Sequence, residues 1–81
     1  MGWFCMKQHG SAFSRLGTPD LLCLRPGRRA VWLEVKQPGK RPTPIQMSMM
    51  RTLEMKAGTP CYVVTSRNEA EACLKHEERA A

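Results

Sequence analysis

The chain has 81 residues, which is the size of one domain spanning 1–81. Leu, Ile, Val and Phe together number fourteen, below the ~20% at which disorder becomes a serious reading for a charged chain. Six Met, four Cys, two Trp and one Tyr add burying capacity, so the composition fits a folded domain with a thin core, one that a second copy would help to cover. The formal charge of +6 points to an anionic partner, most simply nucleic acid, and the lack of any apolar run of ~18 residues excludes a membrane-spanning helix.

In chain order, "WFCMKQHG" is compatible with a helix turn or with the start of a strand. Gly10 and Gly17 then bracket "SAFSRL", which reads as a first short strand. "GTP" turns the chain, with Pro19 fixing φ just before Asp20. "DLLCLR" is nearly continuously apolar and predicts a central strand. "PGR" is a hairpin turn, and "AVWLEVK" is the clearest strand, alternating over seven residues. The short connection makes these two strands antiparallel. "QPGKRPTP" is a basic loop, unable to form helix or central strand. Thr43 as N-cap and Pro44 at the first helical position open a helix over 44–57, with Ile45, Met49 and Leu53 as its core stripe and Gly58 as its stop. "TPCYVVTS" predicts a fourth strand, joined to the third by a right-handed parallel crossover. Ser66 or Asn68 caps a last helix with Ala70, Cys73 and Leu74 on one face. The expected fold is α/β: a mixed four-stranded sheet flanked by helices, in the order βββαβα after an optional short N-terminal helix.

The cysteines, Cys5, Cys23, Cys61 and Cys73, have no C-x-x-C spacing and no His at zinc-finger distance. Reduced thiols and a cytoplasmic setting follow as the expectation, with Cys23 and Cys61 inside apolar runs. The opening "MGWFCMK" lacks the apolar core of a signal peptide.

The chemistry concentrates on "VWLEVK". Alternation places Val31, Leu33 and Val35 on an apolar face, and Trp32, Glu34 and Lys36 on the other. Counting back through the hairpin brings Asp20 close to residues 34–36. Two adjacent carboxylates repel unless a cation intervenes. Mg²⁺ takes oxygen ligands and retains waters, and Asp20, Glu34 and the Val35 carbonyl can supply such oxygens. Bound water becomes a nucleophile, which Lys36 can orient, or it can neutralise charge developing on a phosphate. Gln46, at the start of the following helix, can reach the same place. Alone, E-x-K is an ordinary solvated ion pair worth ~0–1 kcal/mol; Asp20, Gln46 and the basic residues Arg28, Arg29, Lys40 and Arg41 around it give it a functional sense.

"GTPDLL" followed by "LEVK", "TPIQ" and "AGTPCYVV" resembles the VRR-NUC family of the PD-(D/E)xK nuclease superfamily, over roughly residues 10–75. Members occur as small stand-alone phage or bacterial proteins and as modules of larger repair nucleases. The resemblance implies a restriction-endonuclease-like core, Mg²⁺- or Mn²⁺-dependent hydrolysis of DNA phosphodiesters, and a homodimer akin to Holliday-junction resolvases that act on branched DNA. It makes Asp20 and Glu34 metal ligands, Lys36 the catalytic lysine and Gln46 the family's helix glutamine. Arg28, Arg29, Lys40 and Arg41 are candidates for contacting DNA. One departure stands out: no acid precedes Asp20, where the superfamily often has a Glu on its first helix, and only His9 or Gln8 is available instead. A DNA-binding module with weakened catalysis, or a small α/β interaction protein, are the competing readings.

Overall fold

The structure, a computed structural model, describes residues 2–8 and 16–80. Four strands, β1 (Phe4–Lys7), β2 (Leu21–Leu24), β3 (Val31–Val35) and β4 (Cys61–Val64), form one sheet in the order β1-β2-β3-β4. Helix α1 (Pro44–Ala57) joins β3 to β4, and α2 (Arg67–Arg79) follows β4. β1 and β2, and β2 and β3, pair antiparallel; β3 and β4 pair parallel. This is the mixed α/β sheet with two helices that the sequence predicts. Among the described residues no helix is long and apolar enough to cross a membrane.

The first strand is the exception. Residues 11–15 of "SAFSRL" lie outside the described residues, and Leu16 is in a turn. The strand that pairs with β2 is Phe4–Lys7, in the stretch left open between helix and strand, so no short helix occupies 4–7. All four of its residues are exposed, so its pairing with β2 is the main tie that holds this edge strand.

Directly opposed residues share a sheet face. Leu33 faces Leu21 on one side and Tyr62 on the other, and Val31 faces Cys23. This face carries the core of Cys23, Val31, Leu33, Val64 and Leu74, completed by Trp3, Leu21, Tyr62, Ala70 and Cys73. Ala70, Cys73 and Leu74 of α2 thus occupy the role expected of them. Val35 departs from expectation. It is 48% exposed, whereas Val31 and Leu33 are buried, because it sits at the sheet end and lines a hollow of about 330 Å³ with Lys7, Asp20 and Leu21.

The other face carries Glu34 and lies under α1. The helix has its expected caps: the Thr43 side chain accepts from Gln46 N–H, and Gly58 closes the helix at φ 67° with its N–H donated to the Leu53 carbonyl. Its apolar stripe, however, is not a buried core. No α1 residue is fully buried, and Ile45 is 55% exposed. The sheet face beneath is partly polar, so the helix rests on it rather than sealing it. Ile45 instead meets Gly17. A Cβ on Gly17, at φ +84°, would lie 2.7 Å from both Ile45 Cγ2 and the Ile45 carbonyl oxygen. Gly17→Ala is therefore expected to cost about 1–3 kcal/mol, read as a lowered urea midpoint at unchanged slope.

On the core face, Glu77 of α2 is 2% exposed. It accepts the Tyr62 hydroxyl on Oε2 and Arg29 Nε on Oε1, the latter at 3.0 Å. Glu78 accepts from Trp3 Nε1 at 2.9 Å and Arg25 Nη1 at 3.2 Å, and Arg28 Nε donates to its carbonyl. The C-terminal turns of α2 are thus tied to the β2–β3 hairpin by polar contacts.

Candidate functional site

The site forms where β3 ends. Asp20, immediately before β2, accepts the Val35 N–H on Oδ2 at 2.9 Å. Its carbonyl accepts the Gln8 N–H at 2.7 Å, so β1 and β3 both fix it. Because N–H and C=O of one strand residue point to the same side, the Val35 carbonyl also faces the Asp20 side.

Glu34 is 2% exposed. Its Oε2 accepts Gln46 Nε2 at 2.9 Å and pairs with Lys36 Nζ at 3.3 Å. Gln46 is held at its other end, where Oε1 accepts the Thr43 N–H at 2.9 Å. One glutamine thus completes the helix capping box and orients the carboxylate. Glu34 Oε1 is buried without a hydrogen-bond partner. Such an atom costs about 1–3 kcal/mol, more when charged. Burial pushes the Glu34 carboxyl pKa up, and the negative charge of Asp20 pushes it further; the Lys36 hydrogen bond and charge, and the polar pull of the Asp20 backbone N–H, oppose this without cancelling it.

Asp20, Glu34, Lys36 and Gln46 are therefore brought together as the sequence predicts. The basic residues divide. Lys40 and Arg41 are exposed in the loop between β3 and α1. Arg28 and Arg29 sit at the opposite end of β3, engaged by Glu78 and Glu77. At ~3.3 Å per strand residue, Arg29 is roughly 16 Å from Glu34 along the strand. The positive residues do not form one cluster around Glu34, and Arg28 and Arg29 have a place in tying the hairpin to α2. Lys7 was not legible as a site residue. It lines the hollow beside Asp20 and Val35, and only the β1 register opposite Leu21 brings it there. His9 lies outside the described residues, and Gln8 contributes a backbone N–H to Asp20.

No group of three or more His, Cys, Asp or Glu side chains able to hold a metal is present among the described residues. The donor set is two carboxylates and a carbonyl. No protein-family model matches the chain, and no curated protein matches it.

Proposed function

We propose that the protein is a metal-dependent endonuclease that hydrolyses DNA phosphodiester bonds, with a restriction-endonuclease-like core and a preference for branched DNA. The observation that carries the reading is the buried Glu34 carboxylate, braced by Gln46 and Lys36, with Oε1 unpartnered beside a second carboxylate. An oxygen left bare next to like charge is what a hard divalent cation satisfies. Asp20, Glu34 and the Val35 carbonyl fit one Mg²⁺ or Mn²⁺; two acids suit a single ion better than a pair. When bound, the ion would acidify a water and offset phosphate charge.

The chain's own residues supply the rest. Gln46 holds Glu34 so that Oε2 is occupied and the buried Oε1 is left without a hydrogen-bond partner. Lys36, about one-fifth exposed, is placed to face a phosphate oxygen or to orient the attacking water. Lys7, Lys40 and Arg41 provide cations for the flanking phosphates, a salt-sensitive contribution to DNA binding. A homodimer belongs to the same reading. Ile45, Met47, Met55 and Val63 are 43–78% exposed around α1 and β4, and a second copy would cover such a surface.

A second reading, a DNA-binding module with weak or lost catalysis, is favoured by the two-acid donor set. Thermal unfolding with and without Mn²⁺ tests the metal site. The expected result is a rise in Tm that grows with Mn²⁺ concentration, by mass action on the folded state, and that disappears in Asp20→Asn. An unchanged Tm at millimolar Mn²⁺ would remove the metal from the account.

A further inference from the structure

Cys5 and Cys23 stand directly opposite each other on β1 and β2. The kind of opposition follows from the ladder. Gln8 N–H donates to the Asp20 carbonyl, and the same register places Gln8 opposite Asp20, which makes that a hydrogen-bonded pair. Bonded and non-bonded pairs alternate. Lys7/Leu21 is therefore non-bonded, Met6/Leu22 bonded, and Cys5/Cys23 non-bonded. In a non-bonded pair the Cα atoms are about 4.5 Å apart and the side chains at their closest. That lies inside the roughly 4.4–6.8 Å range over which a disulfide closes. Both thiols are free in the structure, Cys5 exposed and Cys23 fully buried.

We propose that Cys5 and Cys23 are a redox pair that a peroxide converts to a cross-strand disulfide, locking the exposed edge strand β1 onto β2. The exposed Cys5 reacts first. Its thiolate sulfur attacks one peroxide oxygen, the O–O bond breaks, and Cys5 becomes a sulfenic acid as the other oxygen leaves and is protonated. The Cys23 sulfur then attacks the Cys5 sulfur. The S–S bond forms, the S–O bond breaks, and the departing hydroxide takes the Cys23 proton. Two thiols and one hydrogen peroxide give one disulfide and two waters. Burial and the contact with Cys5 push the Cys23 thiol up to about 12, so Cys23 is a slow attacker in solution terms and an effective one only for a sulfur held against it. Oxidation adds a covalent bond to the ladder pairing of the strand that leads into Gln8, whose N–H holds the Asp20 carbonyl. The inference is independent of the hydrolytic reading.

The test is graded exposure of the purified protein to hydrogen peroxide, followed by non-reducing peptide mapping and thermal unfolding. Cleavage at Lys7 and Arg15 separates the two cysteines. The expected product is a peptide pair joined through Cys5 and Cys23, with Tm raised by roughly 10 °C and restored by a dithiol. Cys5→Ser, an exposed and conservative change, should lose both effects while folding normally. Recovery of Cys5 as sulfinic or sulfonic acid, or in an intermolecular disulfide, with Cys23 still a free thiol, would overturn the proposal.

Discussion

Lys36→Ala is expected to lower metal-dependent DNA cleavage by at least ~100-fold, the scale of losing a charge that stabilises a transition state. The lysine pairs with Glu34 Oε2 at 3.3 Å, yet that oxygen keeps its hydrogen bond from Gln46. The carboxylate therefore stays oriented when the lysine is removed. Binding of Mn²⁺, read by thermal shift, should persist in the variant while turnover fails. That split separates a charge acting on the phosphate from one that merely holds Glu34. Loss of metal binding together with activity would assign Lys36 a positioning role instead.

Glu77→Ala is expected to have the largest effect on stability, about 3 kcal/mol, because it removes a buried carboxylate, strips the partner from the Tyr62 hydroxyl and releases the half-exposed Arg29. In a domain this small the loss corresponds to a fall in Tm of roughly 10 °C or more. Tyr62→Phe should cost less, and the double variant should be less destabilised than the sum of the singles, since both changes break the same bond. The pair also sets a pH profile. Burial alone would raise the Glu77 pKa, but the hydrogen bonds from Tyr62 and Arg29 and the charges of Arg29 and His76 bring it below the ordinary glutamate range. Its contribution is thus complete above the ordinary glutamate pKa and is lost as pH falls through the lowered value. Burial, then the hydrogen bond to Glu77 and its charge, push the Tyr62 pKa up to about 12 from its ordinary 10.0. That contribution is complete below pH 10.0 and is lost as pH rises through the raised value. Chemical denaturation across pH should show this plateau in the difference between the wild type and Tyr62→Phe, because the thiols of Cys23 and Cys61, raised by burial from 9.0 to about 12 and about 11, give both proteins a further alkaline descent.

Local signals made much of the architecture legible. Thr43, Pro44 and Gly58 mark both ends of α1 by cap chemistry that depends only on neighbouring residues. The alternation in "VWLEVK" and the short hairpin before it set the β2–β3 pairing, and the length of the β3–β4 connection sets the parallel crossover. The same reasoning brought Asp20 to Val35 and Gln46 to Glu34. What escaped depends on distant partners. "FCMK" has no usable alternation because β1 is exposed along its length, so its pairing, and with it the places of Lys7 and Cys5, could not be read. Ile45, Met49 and Leu53 have helical spacing, yet spacing does not reveal how completely the sheet beneath covers them. Glu77 reads as one more acid in a solvated helix end; its partners Tyr62 and Arg29 lie 15 and 48 residues away. Arg28 and Arg29 joined the basic cluster only in sequence, since the hairpin carries them to the far end of β3.

The proposed activity is metal-dependent hydrolysis of DNA at Asp20, Glu34 and Lys36. Its most direct test is a cleavage panel of linear, flapped and four-way junction DNA, each with Mg²⁺, Mn²⁺ or a chelator. Cutting of at least one branched substrate with metal, and of none with chelator, is the expected result. Equal absence of cutting across the panel, with and without metal, would contradict it.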